Sequence, residues 1–219
     1  MNFYHSGSSE LQERFDGTRL AKRLEEVRVH HEFWPEEIEQ IHGAHFFFLA
    51  TAYGENVDCS YKGGEPGFVR VTGRNTLEWP DYDGNSMYRS LGNIELNPNV
   101  GLLFVPFDST SSRLRINGKA KLEFDHGLVA GYPGAKLLVR VECNFIYKNC
   151  NRYIPRMELL ESSVFSPKGD DCPPEPEWKS RDYAHDVLPS GERIQGLTPN
   201  SRTSSSTRPP PVESTRDNS

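Results

Sequence analysis

Residues 57–71 read VDCSYKGGEPGFVRV and residues 79–107 read WPDYDGNSMYRSLGNIELNPNVGLLFVPF, and these two stretches decide the fold. The first begins with alternating polar and apolar residues, which is typical of a strand, and continues through glycines into a turn. The second holds an amphipathic segment that starts at Asn85 and stops before Pro98, followed by an apolar run. This order predicts a strand, a hairpin, one helix and a buried strand within a single sheet.

Hairpins are predicted on the N-terminal side of this region and within it. FFFLATA at residues 46–52 is an apolar, aromatic-rich run too short for a free-standing helix, and YGEN at residues 53–56 turns the chain back into VDCSYK. GFVRV and TLEW flank TGRN at residues 72–75 in the same way, which predicts a second hairpin with a short polar loop.

Further strands are predicted in the C-terminal half. NVGLLFVPF at residues 99–107 is typical of a central strand, and two long alternating stretches follow, RLRINGKAKLEF at residues 113–124 and KLLVRVECNFIY at residues 136–147. A glycine-rich loop from Asp125 to Ala135 separates these two stretches. Several antiparallel strands in succession indicate a barrel, so we expect a mainly β (α+β) fold.

The N-terminal segment has a helical pattern instead. In TRLAKRLEEV the apolar residues Leu20, Leu24 and Val27 recur at helical spacing, and Thr18 is placed to cap the start. A second short helix is expected from Pro35, because two acidic residues follow it in what would be the first turn. Both helices are expected to cover a sheet edge or a partner subunit.

The composition excludes several classes of protein. The chain has 219 residues, enough for one hydrophobic core, and a formal net charge of -6 without the Lys/Arg-rich blocks typical of nucleic-acid binding. No apolar run approaches the roughly 18 residues of a membrane span, and no run of the signal-peptide type is present at the N-terminus. We therefore expect a soluble cytoplasmic protein without a nucleic-acid or membrane partner.

Cysteine and histidine spacings give no indication of a metal site. The four cysteines form no CxxC pair, and the seven histidines show no HExxH or similar spacing. Neither a GxSxG nucleophile motif nor a phosphate-binding P-loop is present, so no motif indicates a hydrolase or a nucleoside triphosphatase. We expect reduced, structural thiols and no bound metal.

Polar residues alternate along the strand at residues 57–62, which gives it two different faces. The predicted polar face carries Asp58, Ser60 and Lys62, and the opposite face, which is expected to pack, carries Val57, Cys59 and Tyr61. Two interpretations of the polar face remain open. It either meets water, as in many antiparallel sheets, or contributes to a site.

The helix predicted from Asn85 would add anion-binding groups to that face. Unpaired backbone amides at its N-terminus accommodate an anion, while Arg89 supplies a bidentate fork and Ser90 a hydroxyl. Gly63 and Gly64 lack side chains and permit close approach of a ligand. From these residues alone, a phosphate site and an ordinary Asn cap beside a solvated arginine are both open.

Five segments occur in the order FFFLATA, SYKGGEPGFVRV, PDYDGN, NPNVGLLF and RLRINGKA. In that order they resemble the pyridoxamine 5'-phosphate oxidase-related family of flavin-binding split-barrel proteins. The resemblance runs from about Leu11 to EWKSRDYAHDVLP at residues 177–189 and so covers nearly everything except the tail. Each motif is weak alone, and the assignment depends on their number and order.

The resemblance implies an antiparallel split β-barrel with covering helices, FMN as cofactor, and a homodimer with the flavin at the subunit interface. It also implies that Ser60, Lys62, Arg89 and Ser90 are phosphate-side donors, with Asn85 and Asn93 as polar supports. Pro80 and Asp81 would lie near the isoalloxazine ring. The implied cofactor-binding residues are Ser60, Lys62, Gly63, Pro80, Asp81, Asn85, Arg89, Ser90 and Asn93. No catalytic residue is assigned.

The chain is expected to divide into four parts. These are an N-terminal helical cover at residues 1–43, an FMN-binding split-barrel domain at 44–160, a C-terminal docking extension at 161–196 and a disordered tail at 197–219. The tail is rich in Ser, Thr, Pro and Arg and nearly devoid of large apolar residues, which is typical of disorder.

Two departures from the family pattern limit the functional prediction. Family members that oxidise pyridoxamine phosphate carry Ser-Arg-Lys at the helix start, where this chain has Tyr88, Arg89 and Ser90, and they end in Arg-Leu-x-Pro, which this chain lacks. We therefore predict an FMN-binding, flavin-dependent oxidoreductase that acts on an unassigned small-molecule redox substrate. The alternatives are a flavin-binding or sensing module without turnover, and a true pyridoxamine 5'-phosphate oxidase.

Overall fold

The computed structural model describes residues 2–107, 112–155, 157–169 and 173–190. The chain forms two compact units, Met1–Pro174 and Glu175–Ser219. In the second unit the described residues include a 3-10 helix at Glu177–Ser180. The tail predicted at residues 197–219 lies outside the described residues.

The unit boundary falls after Pro174, whereas the sequence placed a boundary at residue 160. Residues 161–174, predicted to begin the docking extension, therefore belong to the same unit as the sheet. The last part of the predicted extension, residues 191–196, lies outside the described residues.

A seven-stranded antiparallel sheet forms the body of the first unit. Its strands are β1 Phe46–Tyr53, β2 Asn56–Gly63, β3 Arg70–Gly73, β4 Thr76–Asp81, β5 Asn99–Phe104, β6 Arg113–Glu123 and β7 Leu137–Asn149. They lie in the order β2-β1-β5-β6-β7-β4-β3, and every neighbouring pair is antiparallel. The predicted mainly β, antiparallel fold is confirmed, together with both hairpins and the interior position of β5.

Helices accompany the sheet in the first unit. They are α1 Ser6–Arg14, α2 Thr18–Arg28, α3 Pro35–His42, α4 Arg89–Leu96 and α5 His126–Val129. Helix α5 lies in the predicted glycine-rich loop, where the Asp125 carboxylate accepts hydrogen bonds from the backbone N–H groups of Gly127 and Leu128. Among the described residues, no helix is both long enough and apolar enough to cross a membrane.

The core lies where α3 and α4 pack on the inner face of the sheet. Strand β1 alternates so that Phe47 and Leu49 are fully buried, and α3 contributes the fully buried Ile41. The Phe47 ring meets Trp79 edge-on at a centroid distance of 5.0 Å and stacks on Phe104 at 5.1 Å. Of the two N-terminal helices predicted to cover a sheet edge or a partner subunit, α3 therefore packs on the sheet.

Helices α1 and α2 do not cover the sheet with their apolar side chains. Neither helix buries a residue, and Leu20, Leu24 and Val27 are all exposed. The predicted cap is also wrong, because Thr18 already belongs to α2 and Gly17 occupies the N-cap position without a side chain that could accept. The apolar stripe of α2 is thus left uncovered in the single chain.

The N-terminal segment contacts the outer face of the sheet by other residues. The Phe3 ring meets the rings of Phe145 and Tyr147 edge-on, at centroid distances of 5.3 and 5.0 Å. His31 Nδ1 donates to the carbonyl oxygen of Asn144 at 2.6 Å. These contacts fix the start of the chain to β7.

Strand β2 has the predicted alternation, but the face that was expected to pack is exposed. Val57 is 69% exposed and Tyr61 is 61% exposed. The polar side chains of β2 share the inner side with the core residues of β1, so the apolar ones must point outward. There Tyr61 stacks on Phe46 at a centroid distance of 5.1 Å and lies beside Phe48, and we call these three residues the outer aromatic surface.

Helix α4 begins later than predicted. Its first residue is Arg89, and the N-cap residue Tyr88 has a left-handed φ of 46°. The Asn85 side chain accepts from the N–H of Met87 at 3.1 Å, which makes an Asx turn rather than a helix cap. Ser86 also has a left-handed φ, 58°, so the chain cannot be helical between Asn85 and Tyr88. The predicted start at Asn85 is therefore wrong.

Candidate functional site

A cavity of about 960 Å³ opens between the inner face of β2, the end of β4 and the start of α4. Eight of the nine residues predicted to bind a cofactor line it. They are Ser60, Lys62, Gly63, Pro80, Asp81, Asn85, Arg89 and Ser90. The fold therefore brings together residues that are up to thirty positions apart in the sequence, and only Asn93 of the predicted set lies elsewhere.

The hydroxyl groups predicted as donors meet where α4 packs on β2. Ser60 Oγ lies 2.8 Å from Ser90 Oγ. The guanidinium group of Arg89, in the first turn of α4, donates to the carbonyl oxygen of Val57 at 3.4 Å. Its side chain is largely exposed, so it can also reach a ligand in the cavity.

Asp58 contacts these donors and was not among the predicted site residues. Its Oδ2 accepts from Ser90 Oγ at 2.5 Å, and its Oδ1 accepts from Arg89 Nε at 3.4 Å. The sequence placed Asp58 on the polar face of β2 but gave no sign that two residues of α4 would lie beside it. An acidic side chain therefore shares the same donors that were assigned to an anion.

Lys62 and Asp81 face each other across the cavity. Lys62 Nζ donates to Asp81 Oδ1 at 3.3 Å, and both side chains are mostly buried. The resemblance implied only that Asp81 lies near the isoalloxazine ring, and the structure shows that its carboxylate binds the ammonium group of Lys62. Each of these two cationic residues, Lys62 and Arg89, thus has a carboxylate neighbour.

The two asparagines that were expected to support the cofactor have different environments. Asn85 lines the cavity, in the turn that precedes α4. Asn93 is buried, and its Nδ2 donates to Thr51 Oγ1 at 3.2 Å and to the carbonyl oxygen of Asn56 at 3.1 Å. Asn93 therefore holds α4 against the β1–β2 hairpin and acts on the cavity only through the position of that helix.

Gly63 and Pro80 line the cavity with little polar surface. A Cβ atom on Gly63 would lie 2.6 Å from the ring of Tyr61, so the glycine is needed for the packing of that ring as well as for access. Pro80 is buried in β4 opposite Leu138. Both residues lie at the cavity that the other predicted residues line.

Another side of the cavity is formed by the segment at residues 157–169, which the sequence analysis did not connect with the site. Leu159, Val164 and Phe165 line the cavity from this segment. Ser162 donates to Glu65 Oε2 at 3.2 Å, and this contact ties the segment to the loop after β2. The apolar pair at residues 164–165, in a stretch that contains several prolines, could have indicated that this segment packs on the fold. Such a pair does not indicate which residues it contacts.

A tyrosine adds a neutral donor to the cavity. Tyr82 lines the cavity, and burial raises its pKa above the ordinary value of a tyrosine. Tyr82 therefore remains protonated at neutral pH and can donate a hydrogen bond.

The residue types fit a flavin nucleotide. The cavity volume of about 960 Å³ is at the upper end of the roughly 300–1,000 Å³ typical of small-molecule sites. Arginine and two serines are suitable partners for a phosphate, and the apolar side chains of the segment at 157–169 are suitable for a planar ring. What the arrangement offers chemically is binding and orientation.

Comparisons with known proteins give structural similarity only. No protein-family model matches the chain, and no curated protein sequence matches it. Solved structures do match, with low identity. A protein of Lactobacillus delbrueckii provisionally named a pyridoxamine 5'-phosphate oxidase is 14% identical at a TM-score of 0.44, over 55% of this chain and 99% of that one.

Two further solved structures have a similar degree of likeness. General stress protein 26 of Bacillus anthracis is 18% identical at a TM-score of 0.40, covering 52% of this chain and 91% of its own. An FAD-binding protein of Mesorhizobium loti is 13% identical at a TM-score of 0.38, covering 55% and 98%.

Proposed function

We propose that this protein binds FMN in the cavity between β2 and α4 and acts as a flavin-dependent oxidoreductase of the pyridoxamine 5'-phosphate oxidase-like family. The observation that carries the proposal is the convergence of Ser60, Lys62, Arg89 and Ser90 on one cavity. A single strand and a single helix start supply all four, and a phosphate monoester is the part of a flavin nucleotide that needs such donors. The motif order in the sequence supports the same family.

The chain's own residues would bind and orient the cofactor. Arg89 and Lys62 supply positive charge toward the phosphate, while Ser60 and Ser90 supply hydroxyls. The apolar residues at 157–169 and the buried Pro80 exclude water from the ring. When bound, FMN supplies the electron transfer itself, so no protein nucleophile is required.

We further propose that the protein is a cytoplasmic homodimer with the cofactor near the subunit interface. The outer aromatic surface and the apolar stripe of α2 are both exposed in the single chain. Exposed aromatic and aliphatic patches of this kind are typical of protein interfaces. A second copy of the chain is the partner that would cover them.

Titration of the flavin-free protein with FMN tests the binding proposal. Quenching of flavin fluorescence with a saturable one-to-one stoichiometry per chain is expected, and its absence at millimolar FMN contradicts the proposal. Turnover is tested separately, by reducing the bound flavin and offering candidate acceptors. An oxidoreductase is expected to reoxidise its bound flavin faster than free flavin is reoxidised. If the bound flavin is reoxidised at the free-flavin rate with every acceptor, the protein binds flavin without turnover.

The dimer is tested by light scattering on the eluting protein. A mass of two chains is expected. Tyr61→Glu would place a charge in the outer aromatic surface and is expected to shift the mass toward one chain, whereas Arg74→Glu, on the β3–β4 loop, serves as the control. A single-chain mass for the unmodified protein contradicts the dimer.

A further inference from the structure

Asp58 occupies two of the donors that the proposed function assigns to a phosphate. It accepts from Ser90 Oγ at 2.5 Å and from Arg89 Nε at 3.4 Å. The side chain is only 19% exposed, so these protein donors, rather than water, make up much of its surroundings. The cavity therefore already contains an anion at the place where the donors converge.

The hydrogens of the two serines can be assigned from these contacts. An ionised carboxylate only accepts hydrogen bonds, and a hydroxyl has a single hydrogen to donate. Ser90 must therefore donate its hydrogen to Asp58. Ser60 Oγ lies 2.8 Å from Ser90 Oγ, and because Ser90 has no hydrogen left, Ser60 must be the donor between them. Both hydrogens are committed to a chain that runs from Ser60 through Ser90 to Asp58.

This chain has opposite consequences for two kinds of ligand group. An ionised phosphate presents only acceptor oxygens, so it cannot pair with serine lone pairs, and it is repelled by a nearby carboxylate. A hydroxyl group both donates and accepts, so it can bind to Ser60 or Asp58 without breaking the chain. As arranged, the two serines suit a ligand hydroxyl better than a phosphate, while Arg89 keeps N–H groups that Asp58 does not take.

We propose that Asp58 is a specificity-determining residue that competes with a ligand phosphate for Ser90 and Arg89. It thereby lowers the preference of the cavity for a phosphorylated flavin over the same flavin that ends in a hydroxyl. The proposal rests on the proposed function, since it concerns the same cavity and the same ligand class. Its consequence is that riboflavin, and not only FMN, is a ligand of the native protein.

The test compares two ligands that differ only in the phosphate. Dissociation constants of FMN and of riboflavin are measured at fixed ionic strength for the native chain, Asp58→Ala and Asp58→Asn. The ratio of the riboflavin constant to the FMN constant cancels changes that affect both ligands equally. Asp58→Asn keeps the shape of the side chain and removes its charge, so it covers the case in which Asp58→Ala does not fold.

The ratio is expected to rise by about tenfold in Asp58→Ala, the effect of one charge-assisted hydrogen bond returned to the phosphate. A smaller rise is expected in Asp58→Asn. Glu55→Gln removes the same charge from the exposed turn of the same hairpin, and it is expected to leave the ratio unchanged.

The possible failures are distinguishable. If the native chain binds both flavins and the ratio stays constant or falls in both Asp58 variants, Asp58 does not compete with the phosphate and only this inference is overturned. If the native chain binds neither flavin, the proposed function fails and this inference fails with it. An equal rise in Glu55→Gln would show a general effect of charge and would also overturn the role of Asp58.

Discussion

Lys62 Nζ lies 3.3 Å from Asp81 Oδ1, although Lys62 is on β2 and Asp81 ends β4, five positions away in the sheet. Such a contact is possible only if the sheet curves until its two ends approach each other. Among the described residues no backbone ladder joins β2 to β4. The ion pair therefore links the two sides of the open sheet at the wall of the cavity.

Removal of this link is expected to destabilise the fold. In Lys62→Met the Asp81 carboxylate, which is only 12% exposed, loses its ion-pair partner, so the free energy of unfolding should fall by about 1–3 kcal/mol. Urea unfolding followed by circular dichroism measures the change. The double variant Lys62→Met/Asp81→Asn should recover part of the loss, and a loss as large as in the single variant would contradict the role of the pair.

Arg89 is expected to bind the phosphate of FMN. Arg89→Ala should weaken FMN binding by about 1.5–3 kcal/mol, because a charge-assisted contact is lost, and should weaken riboflavin binding less. Arg89→Lys keeps the charge and loses the bidentate fork, so its affinity for FMN should lie between those of the native chain and Arg89→Ala. Fluorescence titration measures all three.

Arg74→Ala is the matched control for Arg89. Arg74 is also an exposed arginine paired with a carboxylate, Glu32, but it does not line the cavity. Its substitution should leave the FMN dissociation constant unchanged. An Arg89→Ala constant equal to that of the Arg74 variant would mean that the phosphate does not bind at the start of α4.

A buried carboxylate in α3 makes a second stability prediction. Glu37 is fully buried, and its Oε2 accepts hydrogen bonds from His30 Nε2 at 2.9 Å and from the backbone N–H of Trp34 at 3.1 Å. Glu37→Ala leaves both donors without this acceptor and should cost about 2–4 kcal/mol of unfolding free energy. Glu36→Ala changes the neighbouring exposed glutamate and should leave the melting temperature close to that of the native chain. Similar melting temperatures for the two variants would contradict the importance of the buried contacts.

The strands and hairpins were predictable because their signals are local. Alternation in β1 and β2 and turn residues between them define a hairpin within eighteen residues, and the structure has it in that register. The start of α4 was not predictable in the same way. Asparagine serves equally well as a helix cap and as the first residue of an Asx turn, and the left-handed φ angles of Ser86 and Tyr88 leave no mark in the sequence.

Eight of the nine residues predicted to bind a cofactor line one cavity, but their contacts were not predictable from the sequence. Strand alternation placed Asp58 beside Ser60 and Lys62, yet the role of Asp58 depends on Ser90, which lies 32 positions further along the chain. Alternation also shows which residues share a face of a strand, but not which face is buried. Val57 and Tyr61 were expected to pack inside, and both are exposed. The segment at residues 157–169 has no periodic pattern, so its place at the cavity could be found only from the fold.

Substitution of two glycines by alanine is expected to change the stability of the protein in opposite directions. A Cβ atom on Gly118, beside the register shift between β6 and β7, would clash with the backbone carbonyl oxygen of Glu142. Gly118→Ala should therefore destabilise the protein by about 1–3 kcal/mol. Gly92 in α4 has nothing within 4 Å of such an atom, so Gly92→Ala should stabilise by about 0.5–1 kcal/mol through helix propensity. Thermal unfolding of both variants measures this, and a loss of stability in each would contradict the packing around α4.

Cysteine reactivity reports on the core. Burial raises the pKa of the Cys143 thiol to about 12, whereas Cys150, just after β7, is exposed. The thiolate is the reactive form, so at about pH 8 iodoacetamide should modify Cys150 and leave Cys143 unmodified in the folded protein. Peptide mass spectrometry of native and urea-unfolded samples measures this. Equal labelling of the two residues in the native sample would contradict the placement of Cys143.

The absorption spectrum of the purified protein, with mass spectrometry of the small molecule released on denaturation, tests the central claim most directly. After incubation with FMN and removal of the excess, the account predicts the absorption bands of a bound flavin in the visible spectrum and a released mass equal to that of FMN. A chain that remains colourless after this treatment, although folded by circular dichroism, would contradict the assignment of the cavity to a flavin.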